Sequence, residues 1–213
     1  MKKLLERIKL CKLPPPQRRS LPYECYWEDS ILTQEKEHIF SNQWLGLGRS
    51  DRLENPGEYE VFELCGQALV LIRNQDNELK LYANTCRHRG AKLLDGSGQC
   101  QAISCPFHGW TYSLDGNLKY AKTMEENPSF DFAEHSLIEY KLEELQGFLF
   151  GFLGNKPTDL SNQLGNFSEL HHPWSMNELV TTRRATFEVQ CNWKAFLDVF
   201  NEYYHLNNVH PTS

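Results

Sequence analysis

Two short segments constrain this chain more than anything else in it: CRHRG at 86–90 and CPFHGW at 105–110. Each offers one cysteine and one histidine, as C-x-H in the first and C-x2-H in the second, with sixteen residues between His88 and Cys105. A fold that uses them must bring two loops together, so that two thiols and two imidazoles face one site. The chain has seven cysteines, an odd number. Its N-terminus, MKKLLERIKLCKLPPP, reads as no signal peptide, because Glu6, Arg7 and Lys9 break the apolar run. Both features argue against a disulfide framework and predict a reducing, cytoplasmic setting, where cysteine and histidine at short spacing read as metal ligands. Gly90 and Gly109 allow tight turns beside the ligands, where backbone amides can approach a bound sulfur. A structural zinc site, or a buried set with no metal, is the alternative. Zinc fingers, however, group Cys with Cys and His with His, whereas each box here holds one of each.

The residues around the boxes predict a β-rich scaffold. From Trp44 to Asn84, WLGLGR, EYEVFELC, ALVLIR and ELKLYAN are separated by Pro56-Gly57, Gly66-Gln67 and Asp76-Asn77. Short strands between turn dipeptides indicate an antiparallel meander or small barrel. QAISC, WTYSL and the turn at Asp115-Gly116 continue it, and KLEELQGFLFGFL (141–153) is expected to close the sheet as one apolar strand. Before it, 11–22 is an extended proline-rich lead-in, and 33–43 reads as a helix with Thr33 as N-cap. After it, 155–178 is loop-like, VTTRRATFEVQ (180–190) is a strand candidate, and a helical pattern starts near Asn192. This gives an N-terminal extension and helix over 1–40, a β domain over 41–154 and a further domain beginning at 155. The net charge of −6 disfavours nucleic-acid binding and could suit a basic electron-transfer partner. No run approaches the about 20 apolar residues of a membrane span.

The boxes resemble those of the Rieske family, in which two cysteines hold one iron of a [2Fe–2S] cluster and two histidines hold the other. The resemblance assigns Cys86, His88, Cys105 and His108 as cluster ligands. Respiratory Rieske proteins carry C-x-H-x-G-C and C-x-C-H-G-S, with the extra cysteines bridged beside the cluster. Here those positions are Ala91 and Phe107, and the serine after H-G is Trp110. Both departures point to the ring-hydroxylating oxygenase branch or its ferredoxins, with a lower potential. Cys100 fits no ligand position, and the other four cysteines read as ordinary thiols.

A second constellation lies in NWKAFLDVFNEYYHLNNVHP (192–211). Taken as one helix, Trp193, Phe196, Leu197, Phe200 and Tyr204 form an apolar core face, with Asp198, Glu202 and His205 opposite. This resembles the start of the catalytic domain of Rieske oxygenase large subunits, where (D/E)-x2-H-x4-H supplies two iron histidines. The resemblance implies that His205 and His210 bind a mononuclear Fe(II). Glu202 would link the two metal centres by bridging His205 and the His108 of a neighbouring subunit. A glutamate there is the variant of the branch resembling oxygenases of carnitine and other quaternary ammonium compounds. The third iron ligand, an acid, is expected beyond Ser213, so 155–213 reads as the incomplete start of an α+β helix-grip catalytic domain.

The implied protein is mainly β and is the terminal oxygenase component of a Rieske oxygenase. Electrons come from NAD(P)H through a ferredoxin or flavin reductase, and O2 is activated to hydroxylate an aromatic or quaternary ammonium substrate. A homotrimer is implied as well. The alternative is a ferredoxin-like electron-transfer protein with no oxygenase chemistry of its own.

Overall fold

The computed structural model describes residues 2–210. It divides into two compact units, Glu37–Arg183, and Met1–Lys36 together with Arg184–Ser213.

The first unit is antiparallel β, as expected. Strands β1 (Trp44–Arg49), β2 (Glu58–Leu64), β3 (Gln67–Arg73), β4 (Leu79–Ala83), β5 (Ser97–Gln99), β9 (Glu139–Leu145) and β10 (Phe148–Phe152) form one sheet. Its order is β1-β10-β9-β4-β3-β2-β5. A second sheet of three short strands, β6 (Ile103–Ser104), β7 (Thr111–Tyr112) and β8 (Leu118–Tyr120), carries the second box. The alternation in β3 decides where the cores lie. Leu69 and Leu71 enter a cluster with Leu53, Leu81 and Leu149, whereas Val70 and Ile72 enter another with Tyr82, Cys86, Cys105, Trp110 and Tyr112. Being buried on both faces, β3 reads as a continuous apolar run. The second of these cores reaches the boxes.

Several expectations are corrected here. KLEELQGFLFGFL is not one strand but the end of β9, a two-residue turn and β10. Gln146 and Gly147 both have positive φ (52° and 80°), the backbone of a tight hairpin turn. The periodicity runs through a turn that has glycine only at its second position, so the break was masked. The 155–178 stretch is not a plain loop: it holds α4 (Leu160–Leu164) and α5 (Phe167–His171). The side chain of Asp159 caps α4 by accepting from the Ser161 amide. Gln163 on α4 accepts from the Trp44 amide at 2.8 Å and donates back to its carbonyl at 2.8 Å, completing an edge of β1. The strand candidate at 180–190 forms no strand of either sheet among the described residues. Without a neighbouring strand, β propensity alone does not make a ladder.

The second unit is helical: α1 (Lys2–Lys9), α2 (Glu24–Trp27), α3 (Asp29–His38), α6 (Trp193–Phe200) and α7 (Leu206–Val209). The helix expected at 33–43 starts four residues earlier and ends at His38. Thr33 lies inside it, its hydroxyl donating back to the Asp29 carbonyl at 3.0 Å rather than capping an end. The helix expected to run on from Asn192 stops at Phe200, where Asn201 turns the chain (ψ 4°). Asn192 is its N-cap, accepting from the Lys194 amide at 3.0 Å. The expected core face is also corrected. Phe196, Leu197, Phe200 and Tyr204 are exposed, and the residue α6 buries most deeply is Lys194, at 7% exposure.

Candidate metal centre

The two boxes fold into matching loops. In the first, the Cys86 amide donates to the Ala91 carbonyl (2.8 Å) and the Gly90 amide to the Cys86 carbonyl (3.0 Å). In the second, Cys105 donates to Trp110 (2.7 Å) and Gly109 to Cys105 (3.0 Å). Each loop thus closes from its cysteine to the fifth residue on, with a glycine at the fourth. Gly90 and Gly109 have φ of +73° and +72°. A Cβ would meet nothing closer than 4.0 Å at either position, so it is the left-handed backbone, not lack of space, that calls for glycine. A further brace holds the stretch after the first box. Asn84, 1% exposed, donates to the Leu94 carbonyl (2.8 Å) and accepts from its amide (2.9 Å).

The loops point their donors in two directions. Cys86 and Cys105 are buried, at 2% and 3% exposure, in the core beneath. The His88 and His108 rings lie outward, with centroids 4.8 Å apart. They border an open cleft of about 540 Å³ with Arg89, Phe107, Trp110 and Lys122. Burial pushes the Cys86 thiol up, the Tyr112 hydroxyl pulls it back, and the adjacent Cys105 raises it again. Burial, then Arg89 and His108, pull the His88 imidazole down, which favours the neutral, metal-binding form. Two soft sulfurs inside and two imidazoles outside are the donor set that a Rieske [2Fe–2S] group requires. By that test the residues present fit it.

Two partners of this site have no signature in the spacing of the boxes. The Tyr112 hydroxyl lies 3.4 Å from Cys86 Sγ and accepts from the Arg87 amide at 3.0 Å. Burial, then the contact with Cys86, push its pKa up, so it stays a donor. Trp110 stacks on His88, with centroids 4.8 Å apart and planes 9° from parallel, so the residue in the serine position acts through its ring. Trp110 closes the second box, at the position where respiratory Rieske proteins have serine, and Tyr112 is the fully buried residue of the short strand β7 that follows it.

The second constellation takes a different form from the expected stripe. With α6 ending at Phe200, Glu202 leaves the helix, and the turn after it carries His205 as the N-cap of α7 and His210 as its C-cap. His205 Nδ1 and Glu202 Oε1 are 2.5 Å apart, and Glu202 also accepts from the Tyr204 amide. The His205 hydrogen bond holds the Glu202 carboxyl below the usual range. The His205 and His210 rings are 5.8 Å apart. Asp198 stays on α6, away from this turn's hydrogen bonds, and accepts from the Tyr26 hydroxyl at 2.6 Å. Among the described residues, no three Cys, His, Asp or Glu side chains gather at one point as a metal-binding group. No described helix is long and apolar enough to cross a membrane.

The profile of the Rieske [2Fe–2S] domain matches residues 43–133, and that of the ring-hydroxylating alpha-subunit catalytic domain matches 176–213. The carnitine monooxygenase oxygenase subunit of Acinetobacter baumannii is 35% identical over 195 residues, covering 90% of this chain and 53% of that protein. The glycine betaine monooxygenase oxygenase subunit of Pseudomonas aeruginosa is 28% identical, covering 90% and 45%. Among solved structures, a quaternary ammonium Rieske monooxygenase in complex with L-carnitine superposes with a TM-score of 0.83 at 34% identity, over 89% of this chain and 55% of that one. Naphthalene 1,2-dioxygenase with indole bound superposes with 0.76 at 26%, over 85% and 43%. The chain spans about half the length of the relatives it matches.

Proposed function

From a chain that carries the Rieske [2Fe–2S] domain and the start of the catalytic domain of Rieske oxygenase alpha subunits, we propose a terminal oxygenase component acting on a small quaternary ammonium compound. Cys86, Cys105, His88 and His108 hold the [2Fe–2S] cluster, and His205 and His210 are two ligands of a mononuclear Fe(II). When bound, these groups supply one-electron transfer and O2 activation. The electrons come from NAD(P)H through a ferredoxin or flavin reductase. The protein works in the cytoplasm as a homotrimer.

The observation that carries this reading is the pairing of His205 Nδ1 with Glu202 at 2.5 Å, on the same chain as the four-residue cluster site. A carboxylate accepting from Nδ1–H fixes the tautomer and leaves Nε2 free as a ligand. It also fixes the orientation of the ring at the start of α7. On the cluster side, Trp110 lies against His88 and shields the inner face of that ring from water. Glu202 is the group that bridges to His108 of a neighbouring subunit. The choice of substrate class rests on Glu202 in place of aspartate and on likeness to the carnitine and glycine betaine enzymes.

The test begins with the protein as purified without oxygen. It is expected to be red-brown, with two irons and two sulfides per chain in the cluster and a rhombic signal in EPR after reduction. A colourless sample carrying stoichiometric zinc rejects the cluster. In a form that turns over, Glu202→Gln is expected to slow oxidation of the reduced cluster by O2 and substrate while leaving its absorbance intact. An unchanged rate removes Glu202 from the bridge.

A further inference from the structure

In this chain, which spans about half the length of its relatives, Phe196, Leu197, Val199 and Phe200 of α6 are exposed. Polar contacts from the N-terminal helices hold it. In its first turn, Lys194 Nζ donates to both oxygens of Glu35, at 2.8 and 2.7 Å, and the Trp193 indole donates to the same carboxylate at 2.9 Å. Side-chain exposure is 8% for Lys194 and 12% for Glu35, so the ion pair lies out of water, where removing one partner is costly. In its last turn, the Tyr26 hydroxyl donates to Asp198 Oδ2 at 2.6 Å. Lys194 and Asp198 are four residues apart and so share one face of the helix. Tyr26 and Glu35 come from α2 and α3, and they grip that face near both ends.

What α6 leads into gives this grip a consequence. Asn201 closes the helix by donating to the Leu197 and Asp198 carbonyls (3.0 and 3.3 Å), and the turn carrying Glu202 and His205 starts there. Wherever Asp198 is held, that turn follows. We infer that Tyr26 and Glu35 are positioning residues: by clamping α6 from the N-terminal helices, they set where His205 and His210 stand. The inference rests on the reading of those two histidines as metal ligands. It makes the first 36 residues part of the catalytic half of the protein, not a lead-in to the cluster domain.

Co(II) binding to the whole chain tests this without turnover, by calorimetry, with the His205→Ala/His210→Ala double variant defining the sites to subtract. Tyr26→Phe is expected to weaken binding at the pair about tenfold, the low end of the cost of losing a partner outside the ligand shell. Asp198→Ala should do the same. The Tyr26→Phe/Asp198→Ala combination should be no weaker than either alone, the non-additivity of a single contact. Glu35→Gln, which keeps hydrogen-bonding atoms but loses the ion pair, provides a second variant with the same expected direction. Far-UV circular dichroism and the visible spectrum of the cluster serve as fold controls. If wild type binds no Co(II) that depends on His205 and His210, the ligand reading and the clamp fall together. If wild type binds it but Tyr26→Phe and Glu35→Gln keep the same affinity while melting earlier, the residues are only structural and the clamp alone is overturned.

Discussion

Replacing Tyr112 by phenylalanine removes one hydroxyl from the cluster site and little else, because the ring is fully buried and its shape is kept. The hydroxyl lies 3.4 Å from Cys86 Sγ, where it would donate to the thiolate that holds the proposed cluster. One-electron reduction adds negative charge to that acceptor and strengthens the bond. Hydrogen bonds to charged groups contribute about 1.5–3 kcal/mol, against about 0.5–1.5 for ordinary ones. A gain of about 1 kcal/mol on reduction is therefore a fair share for one donor to a sulfur whose charge is already partly negative. At about 59 mV per tenfold change for one electron, and about 1.4 kcal/mol per tenfold, that is about 40 mV. Tyr112→Phe should lower the midpoint potential by about this amount. The assay is a potentiometric titration of the cluster followed by visible circular dichroism. The variant also strips the Arg87 amide of its acceptor, so a loss of about 1 kcal/mol in stability is expected alongside. A midpoint within about 10 mV of wild type, with an unchanged reduced spectrum, would refute the reasoning, because a donor to Cys86 cannot be silent in the potential.

Asn84→Ala leaves both the amide and the carbonyl of Leu94 without their buried partner. It should cost about 2–4 kcal/mol, read as a lower denaturation midpoint together with faster loss of the cluster. Gly57→Ala would set a Cβ 2.1 Å from the Cys100 carbonyl at a φ of +84°, so little folded protein is expected from it, measured as soluble yield and melting temperature. Asp51 is held below the ordinary carboxylate range, chiefly by the Thr181 amide and further by the Thr181 hydroxyl and Arg49. Because its folded pKa is depressed, the stability it contributes is present above about pH 3.9 and is lost as pH falls through the folded value. The hydrogen-exchange protection factor at Thr181 should therefore fall as pH drops below the ordinary carboxylate range of about 4 and through the lower folded value, and Asp51→Asn should remove that dependence; a protection factor that stays flat in wild type breaks the assignment.

The cluster half was largely legible because its signals are chemical and local. Two cysteines and two histidines at fixed spacing, with a glycine four residues after each of those cysteines, specify both loops with little help from tertiary context. The strands were legible where turn residues punctuate them, as at Pro56-Gly57 and Asp76-Asn77. They were not where the turn hides inside an apolar run, as at Gln146-Gly147. Tyr112 and Trp110 went unassigned for another reason. Their partners, Cys86 and His88, belong to the other box, and no one-dimensional pattern reports which side chains meet when two loops close on each other.

The 192–210 segment shows how a periodic pattern can be right about residues and wrong about geometry. Its apolar period is helical, and α6 does form over the first half. What ends it is local: Asn201 takes a non-helical backbone, and Glu202 then accepts from the Tyr204 amide and from His205 Nδ1. A side chain that competes for nearby backbone donors ends a helix that propensity would continue. Unwinding brings Glu202 and His205 into contact three residues apart, and it puts His210 at the far end of the next short helix, with the two imidazoles 5.8 Å from each other. On one unbroken helix, residues five apart point about 140° away from each other, the product of about 100° per residue, and could not face a common ion. On the proposed reading, the break that the pattern missed is what lets the H-x4-H spacing serve as a pair. If so, shifting the balance back should separate them. Asn201→Ala with Glu202→Ala, which favours continued helix by propensity, should raise helicity in far-UV circular dichroism and abolish Co(II) binding at the pair. The matched control is Glu202→Ala alone, which removes the carboxylate but leaves Asn201 to turn the chain, and should keep measurable binding. Equal binding in the two variants would show that the break at Asn201 has no part in bringing the histidines together.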